Sequence, residues 1–300
     1  MLLQQLINGL TLGSVYALIA LGYTMVYGIL ELINFAHGEV YMLGAYLGII
    51  ILGFFTAVGL TSYSLPLSII LTLILTIVFC ASYGFTIEKI AYKPLRKASR
   101  LSPFISAIGV SIFLQNYVML TQGATDKVFP SLFGNSGFDF FSTRVTYLQA
   151  SIIIVSAIMM ILLHLFIIKT KTGKAMRAVA QDKTMSSLLG INIDTVISVT
   201  FIIGSGLAAV AGLMVAMYYG LVNYSIGYSA GIKAFTAAVL GGIGSIPGAM
   251  LGGIILGLIE SLGAGYISSE YKDAYAFVIL IIILMVKPEG LMGKKTEDKI

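Results

Sequence analysis

Apolar residues run along this chain in blocks of about 20, the length a helix needs to cross the hydrocarbon core of a bilayer. Such blocks occupy 4–30, 39–59, 64–88, 103–122, 147–168, 192–220 and 273–287. A further apolar, glycine-rich region covers 231–265. The pattern predicts an all-α, polytopic membrane bundle of about eight transmembrane helices. Inside the glycine-rich region, "AVLGGIGSIPGAMLGG" (238–253) carries Gly241, Gly242, Gly244, Pro247 and Gly248. Glycine loosens a helix and proline removes a backbone donor, so the helix breaks here. The piece before the break, 231–243, spans only about 20 Å at the helical rise. It is either half of a re-entrant pair or a short crossing, and the break itself is either a pathway element or a plain interfacial turn. Interrupted hydrophobic segments of this kind are a pointer to a transport pathway.

Small residues recur at four-residue spacing: Gly9/Gly13, Gly44/Gly48, Gly204/Ala208/Gly212, Gly248/Gly252 and Gly253/Gly257. This spacing lets helix backbones approach closely, within a tight bundle or across a helix-paired dimer.

Polar side chains interrupt the pattern most sharply at "LELINFAHGEVYMLGAY" (30–46), where Glu31, Asn34, His37 and Glu39 fall within nine positions. Two readings are open. In one, the four are the solvated end of two spans joined by a tight connection, with Glu39 favoured by the dipole of the helix it opens. In the other, Asn34 and His37 fold back to shape the mouth of a pathway.

Composition agrees with the membrane reading. Hydrophobic residues make up 58% of the chain and charged residues 10%, against about 25% charged in a soluble domain. The start lacks a basic n-region and continues as a full-length span, so no cleavable signal peptide is expected. Most of the net charge of +5 comes from three places. Lys89, Lys93, Arg96, Lys97 and Arg100 form one; Lys169, Lys171, Lys174, Arg177 and Lys183 a second; Lys287, Lys294, Lys295 and Lys299 the tail. Basic residues accumulate on the cytoplasmic side, which places all three inside, the N-terminus outside and the C-terminus in the cytoplasm. The basic clusters then face lipid headgroups, and nucleic acid is not an expected partner.

Several chemistries are excluded by what the chain lacks. It has no G-x-x-x-x-G-K-[ST] nucleotide site, no G-x-S-x-G and no H-E-x-x-H. Cys80 is the single cysteine, which excludes an internal disulfide and a cysteine-based zinc site. His37 and Glu39 offer two metal ligands where zinc wants three or four. No catalytic, cofactor or metal residues are assigned. Glu260 is the one carboxylate placed for ion coupling, and its alternative reading is a helix-pairing or interfacial group.

The segment "TKTGKAMRAVAQDKTMSSLLGINI" (170–193) is basic, amphiphilic and outside any span. Thr172 can cap a helix start, the residues up to Leu189 are mostly good helix formers, and Gly190 can end the helix in a left-handed cap. Such a helix can rest on headgroups or dock into a groove of a soluble partner.

Three stretches, "GYTMVYGILELINFAHGEVYMLGAY", "GKAMRAVAQDKTMSSLLGINI" and "AVLGGIGSIPGAMLGGIILGLIES", occur in the order and spacing of the LivH-type permease subunits of branched-chain amino acid ABC importers. The resemblance covers about 4–290. It implies a single permease domain over 1–290 and a basic cytoplasmic tail over 291–300. It also implies a second, LivM-like permease, two cytoplasmic ATPases that bind the ATP and magnesium, and an external substrate-binding protein; no cofactor is implied in this chain. About 175–190 resembles the coupling helix, with Arg177, Ala178, Ala180, Asp182 and Gly190 as candidates for contact with an ATPase, although the spacing departs from the EAA consensus of other importers. The loop at about 123–146 would face the binding protein through Asp126, Lys127, Asp139 and Arg144. Asn34, His37, Gly44, Gly241, Gly242 and Gly244 are candidates for the pathway wall. Members similar to this chain also carry urea, short amides and other amino acids. A stand-alone carrier working through Glu260, or a passive channel, is the competing class.

Overall fold

The computed structural model describes residues 1–96, 98–99, 101–130, 134, 136–141 and 143–293. Lys97, Arg100 and the tail lysines 294, 295 and 299 lie outside the described residues. Twelve α-helices are described: α1 Leu2–Leu30, α2 His37–Ala57, α3 Leu60–Tyr63, α4 Leu65–Ile87, α5 Leu101–Gln122, α6 Tyr147–Lys169, α7 Lys171–Gln181, α8 Lys183–Leu188, α9 Ile193–Tyr219, α10 Ile226–Gly241, α11 Ile246–Tyr266 and α12 Lys272–Val286. Between α4 and α5 the chain passes through a π-helical turn, Glu88–Tyr92, and a 3-10 turn, Lys93–Leu95. Four short strands complete it: β1 Lys127–Val128, β2 Gly137–Phe140, β3 Thr143–Thr146 and β4 Leu221–Val222. β1 pairs antiparallel with β4, and β2 with β3. Among the described residues, seven helices are long and apolar enough to cross a membrane. The expected all-α polytopic bundle is what the chain forms.

α1 and α9 sit at the centre, nearly enclosed, while α4, α5, α6 and α12 present long apolar faces outward. The central helices approach closely because the expected small residues meet one another. On the α1–α11 interface, a Cβ added to Gly9 or Gly13 would lie 2.8 Å from the Cα of Leu258 or Ile254, and one added to Gly257 would lie 2.2 Å from the nitrogen of Gly13. Gly212 of α9 is as tight against the Tyr41 carbonyl, at 2.1 Å. Hydrocarbon gives no hydrophobic drive between helices, so such close backbone packing supplies the attraction.

The predicted break falls at 242–245. Gly242 and Gly244 take positive φ, +103° and +92°, and Ser245 caps α11 by accepting from the Gly248 N–H. α10 begins at Ile226, five residues before the expected start, and its 16 residues span about 24 Å. Its last turn is closed by the C-terminal segment, whose Leu291 and Met292 N–H groups donate to the Leu240 and Gly241 carbonyls, both at 2.9 Å. Gly290 makes this possible: its φ is +77°, and a Cβ there would lie 2.4 Å from the Gly242 nitrogen. Gly290→Val is expected to release this strap. Losing two hydrogen bonds of about 1 kcal/mol each, and adding backbone strain, lowers stability by roughly 3 kcal/mol. Faster hydrogen exchange at Leu291 and Met292, with a lower unfolding temperature, would report it.

The basic segment differs from expectation. The chain forms two helices where one was predicted over 175–190, and the cap is Thr170 rather than Thr172: its side chain accepts from the Gly173 N–H at 3.0 Å. Asp182 divides them. Its backbone is extended, φ −153°, and its carboxylate accepts from the Met185 N–H at 2.9 Å. A short acidic side chain satisfies a new helix start better than it continues an old one. Gly190 does adopt the left-handed conformation, φ +82°, just past α8.

Candidate functional site

Three of the four polar residues at 31–39 are inside the bundle, which overturns the solvated reading for Glu39. α1 ends at Leu30, and Glu31 follows in a left-handed conformation, φ +58°. The chain then turns back inward. Asn34 Oδ1 accepts from the Ala36 N–H at 3.1 Å and from the Tyr92 hydroxyl at 2.8 Å. His37 fills a notch where α1 and α9 carry glycine. A Cβ on Gly22 would lie 2.2 Å from its Nε2, and Gly204 is beside it. Tyr23 meets the imidazole edge-on at 4.9 Å. Gly22 precedes the end of α1 by eight residues, about 12 Å at the helical rise, so α2 starts within the bundle instead of at its end. Glu39 accepts from Ser111 at 3.1 Å and faces Gly227 in the first turn of α10. Two helix N-termini, of α2 and α10, therefore surround one carboxylate, and each favours its charge.

Of the other wall candidates, Gly44 lies against the Ala209 backbone, Gly241 against the Gly248 carbonyl and Gly242 against Gly293. Gly244 is open on its side-chain side and is near Gly28.

A second polar group was not foreseen from the sequence, apart from Glu260. Lys233 of α10 is buried and reaches Glu260 Oε1 of α11 and Asp273 Oδ1 of α12, both at 2.7 Å. Tyr16 of α1 donates to Glu260 Oε2 at 2.9 Å. Four helices converge on these side chains, and Glu260 is the helix-pairing carboxylate of the alternative reading. The available signal was Lys233 itself, a lone cation in "SAGIKAFTAAVLGG". Beside it opens a cavity of about 370 Å³ walled by Leu12, Tyr41, Val215, Tyr219 and Ile226, with Lys272 and Asp273 at its rim. The β1–β4 pair adjoins this end, since Leu221 is in both.

Lys127 and Asp126 belong to that connection; Lys127 is opposite Val222. Asp139 and Arg144 are directly opposite each other across the β2–β3 hairpin. The structure thus places three of the four loop charges in two short antiparallel pairings, with Asp126 just before β1.

At the other end, α7 buries Gly173, Met176 and Val179 and turns its remaining faces outward. Arg177 and Ala180 line a small cleft with Gly28, Gly244 and Ile246, so α7 faces the turn between α10 and α11 across that cleft. Ala178 is half-buried and Asp182 exposed. On α8 and just after it, Met185, Leu188 and Leu189 are 59%, 77% and 80% exposed. Nearby, Arg96 pairs with both Glu88 and Asp194, and Lys93 meets Asp194 at 2.8 Å. Glu88 is fully buried and also accepts from Ser198 at 2.8 Å. The π-helical turn is thereby braced on the start of α9.

Comparison with known proteins agrees with this architecture. Residues 5–284 match the family model described as the branched-chain amino acid transport system permease component. The chain is 52% identical to the high-affinity branched-chain amino acid transport permease LivH of Salmonella typhimurium, covering 99% of this chain and 97% of that one. It is 51% identical to BraD of Pseudomonas aeruginosa, covering 99% and 98%. A more distant relative, LivM of Escherichia coli, is 24% identical and covers 94% and 68%. Near-complete coverage in both directions, on a bundle of membrane-length helices, places the chain as a whole: it belongs to the family of branched-chain amino acid transport permeases.

Proposed function

We propose that this chain forms, with a second LivM-like permease, the pathway of an importer for branched-chain or closely related amino acids. An external binding protein delivers the cargo, and two separate ATPase subunits bind ATP and magnesium and drive the cycle. The observation that carries the coupling is α8. Met185 and Leu188 on α8, and Leu189 at its C-terminal cap, are highly exposed outside the spans, and an apolar face of this kind fits a groove on a soluble partner. α7, next to it, faces the Gly244 turn across a small cleft. Closure of the ATPases pulls on α7–α8, moves that turn, and shifts α10 and α11 between outward- and inward-open arrangements. Asn34, His37 and Gly244 border the moving region and stand as wall candidates.

The basic α7 end faces the cytoplasm under the positive-inside rule. The opposite end, with Asp126, Lys127, Asp139 and Arg144, then meets the binding protein. A stand-alone carrier is the weaker account, because Glu260 is held by Lys233 and Tyr16 and is not free to load an ion.

Purification of the tagged chain from its native membrane in mild detergent tests the assembly. Two Walker-motif ATPases and a second permease are expected in the eluate; the chain alone, with ATP-independent flux in liposomes, would overturn the proposal. Within the assembled transporter, Arg177→Glu is expected to lower uptake per ATP hydrolysed about tenfold while leaving the unfolding temperature unchanged, because Arg177 is an exposed charge on the coupling face. Uptake and hydrolysis measured together in proteoliposomes check this.

A further inference from the structure

We propose that the cavity beside Lys233 is a transit site for a zwitterionic amino acid, with the ammonium group held at Asp273, the carboxylate at Lys272 and an aliphatic side chain against the apolar wall. This rests on the transport reading above and goes beyond it by naming the site. The size fits: about 370 Å³ falls in the small-ligand range of roughly 300–1,000 Å³.

The charges fit as well. Lys233 and Lys272 are positive, Glu260 and Asp273 negative, so the group is neutral as a whole and gives no net attraction to a singly charged solute. The four residues are not equivalent. Lys233 is used up: its side chain is 9% exposed and lies between two carboxylates, with the Tyr16 hydroxyl at 3.4 Å. Glu260 is used up too, by Lys233 and Tyr16. Asp273 and Lys272 remain. Asp273 gives one oxygen to Lys233, and its side chain is 58% exposed. Lys272 lies 5.7 Å over the Tyr219 ring and has no carboxylate partner among the described residues. One available anion and one available cation thus line the same cavity, so a solute that carries one charge of each sign can engage both. Leu12, Val215, Leu221 and Ile226 face the space a branched side chain would occupy. The buried Lys233–Glu260 pair acts as a fixed backing that orients Asp273.

The test uses the complete transporter in proteoliposomes with saturating leucine-loaded binding protein, and reads leucine moved per ATP hydrolysed. Asp273→Asn and Lys272→Gln are each expected to lower that ratio about tenfold, the loss of one charge-assisted hydrogen bond, and Asp273→Glu to recover most of it. Lys272→Gln leaves the Lys233 ion pairs intact but removes the contact with Tyr219, so an unchanged unfolding temperature is required before its effect is assigned to the site. A wild-type ratio in Lys272→Gln overturns the site even where Asp273→Asn is impaired, since Asp273 then serves the network alone. A wild-type transporter without ATP-dependent leucine uptake overturns the transport reading and the site together, whereas silent variants in an active transporter overturn only the site.

Discussion

Lys233→Met is expected to destabilise the bundle by about 3–5 kcal/mol, the cost of leaving a buried charge without its partner. Glu260 is 2% exposed and would retain only the Tyr16 hydroxyl at 2.9 Å. Asp273, more than half exposed, turns to water and adds little. The effect should fall on the docking of α10, α11 and α12 rather than on the α2–α9 packing. Lys233→Met combined with Glu260→Gln is expected to recover most of the loss, because a neutral amide can still bond to Tyr16. Thermal unfolding of the purified chain in detergent, run as a double-mutant cycle, measures this. Equal destabilisation of the single and double variants would show that Lys233 contributes through packing alone.

Gly257→Val should be as damaging by a different route. Its Cβ would lie 2.2 Å and 2.3 Å from the nitrogen and Cα of Gly13, and 2.6 Å from the Gly9 carbonyl. These are backbone atoms, which cannot rotate away as a side-chain tip can. α1 and α11 must part, so the cost exceeds the roughly 1–3 kcal/mol of an overpacked core. Gly109→Ala on α5 is the matched control: no atom lies within 4 Å of its added Cβ, and alanine should gain up to about 1 kcal/mol in helix propensity. Loss of folded chain in the first variant beside an unchanged or higher unfolding temperature in the second is the expected pair of results. A folded Gly257→Val would show that the two helices can separate at little cost.

The spans were legible because a bilayer demands unbroken apolar runs, and the break at 242–245 because Gly and Pro mark it chemically. Lys233 was not, since one cation hardly changes the hydropathy of its window and its partners lie 27 and 40 positions away. The 31–39 stretch misled for a related reason. Polar residues before a helix look the same whether the helix starts at the membrane surface or within the bundle; only Gly22 and Gly204, which make room for His37, distinguish the two. Four-residue spacing announced close helix contacts without naming the pairs, because Gly9 and Gly13 fit any partner equally small. Asp182 in the middle of a good helix-forming stretch carried the signal for the α7–α8 division, as a residue that prefers to start helices.

The distribution of the Lys233 network along the chain also constrains how the protein is made. Tyr16 is synthesised 217 residues before Lys233, and Glu260 and Asp273 emerge only afterwards. A lysine at the centre of a newly made helix opposes its insertion by about 2.5–3.5 kcal/mol, and α10, at 16 residues, has little apolar length to offset that. Entry as a hairpin with α11 answers the difficulty, because the cation then meets its counter-charge before either faces lipid. The first helix out of the ribosome must therefore wait, with one side uncovered, for nearly the whole chain to be translated. The network itself closes later still, because Asp273 belongs to α12, which follows α10 and α11 in the chain.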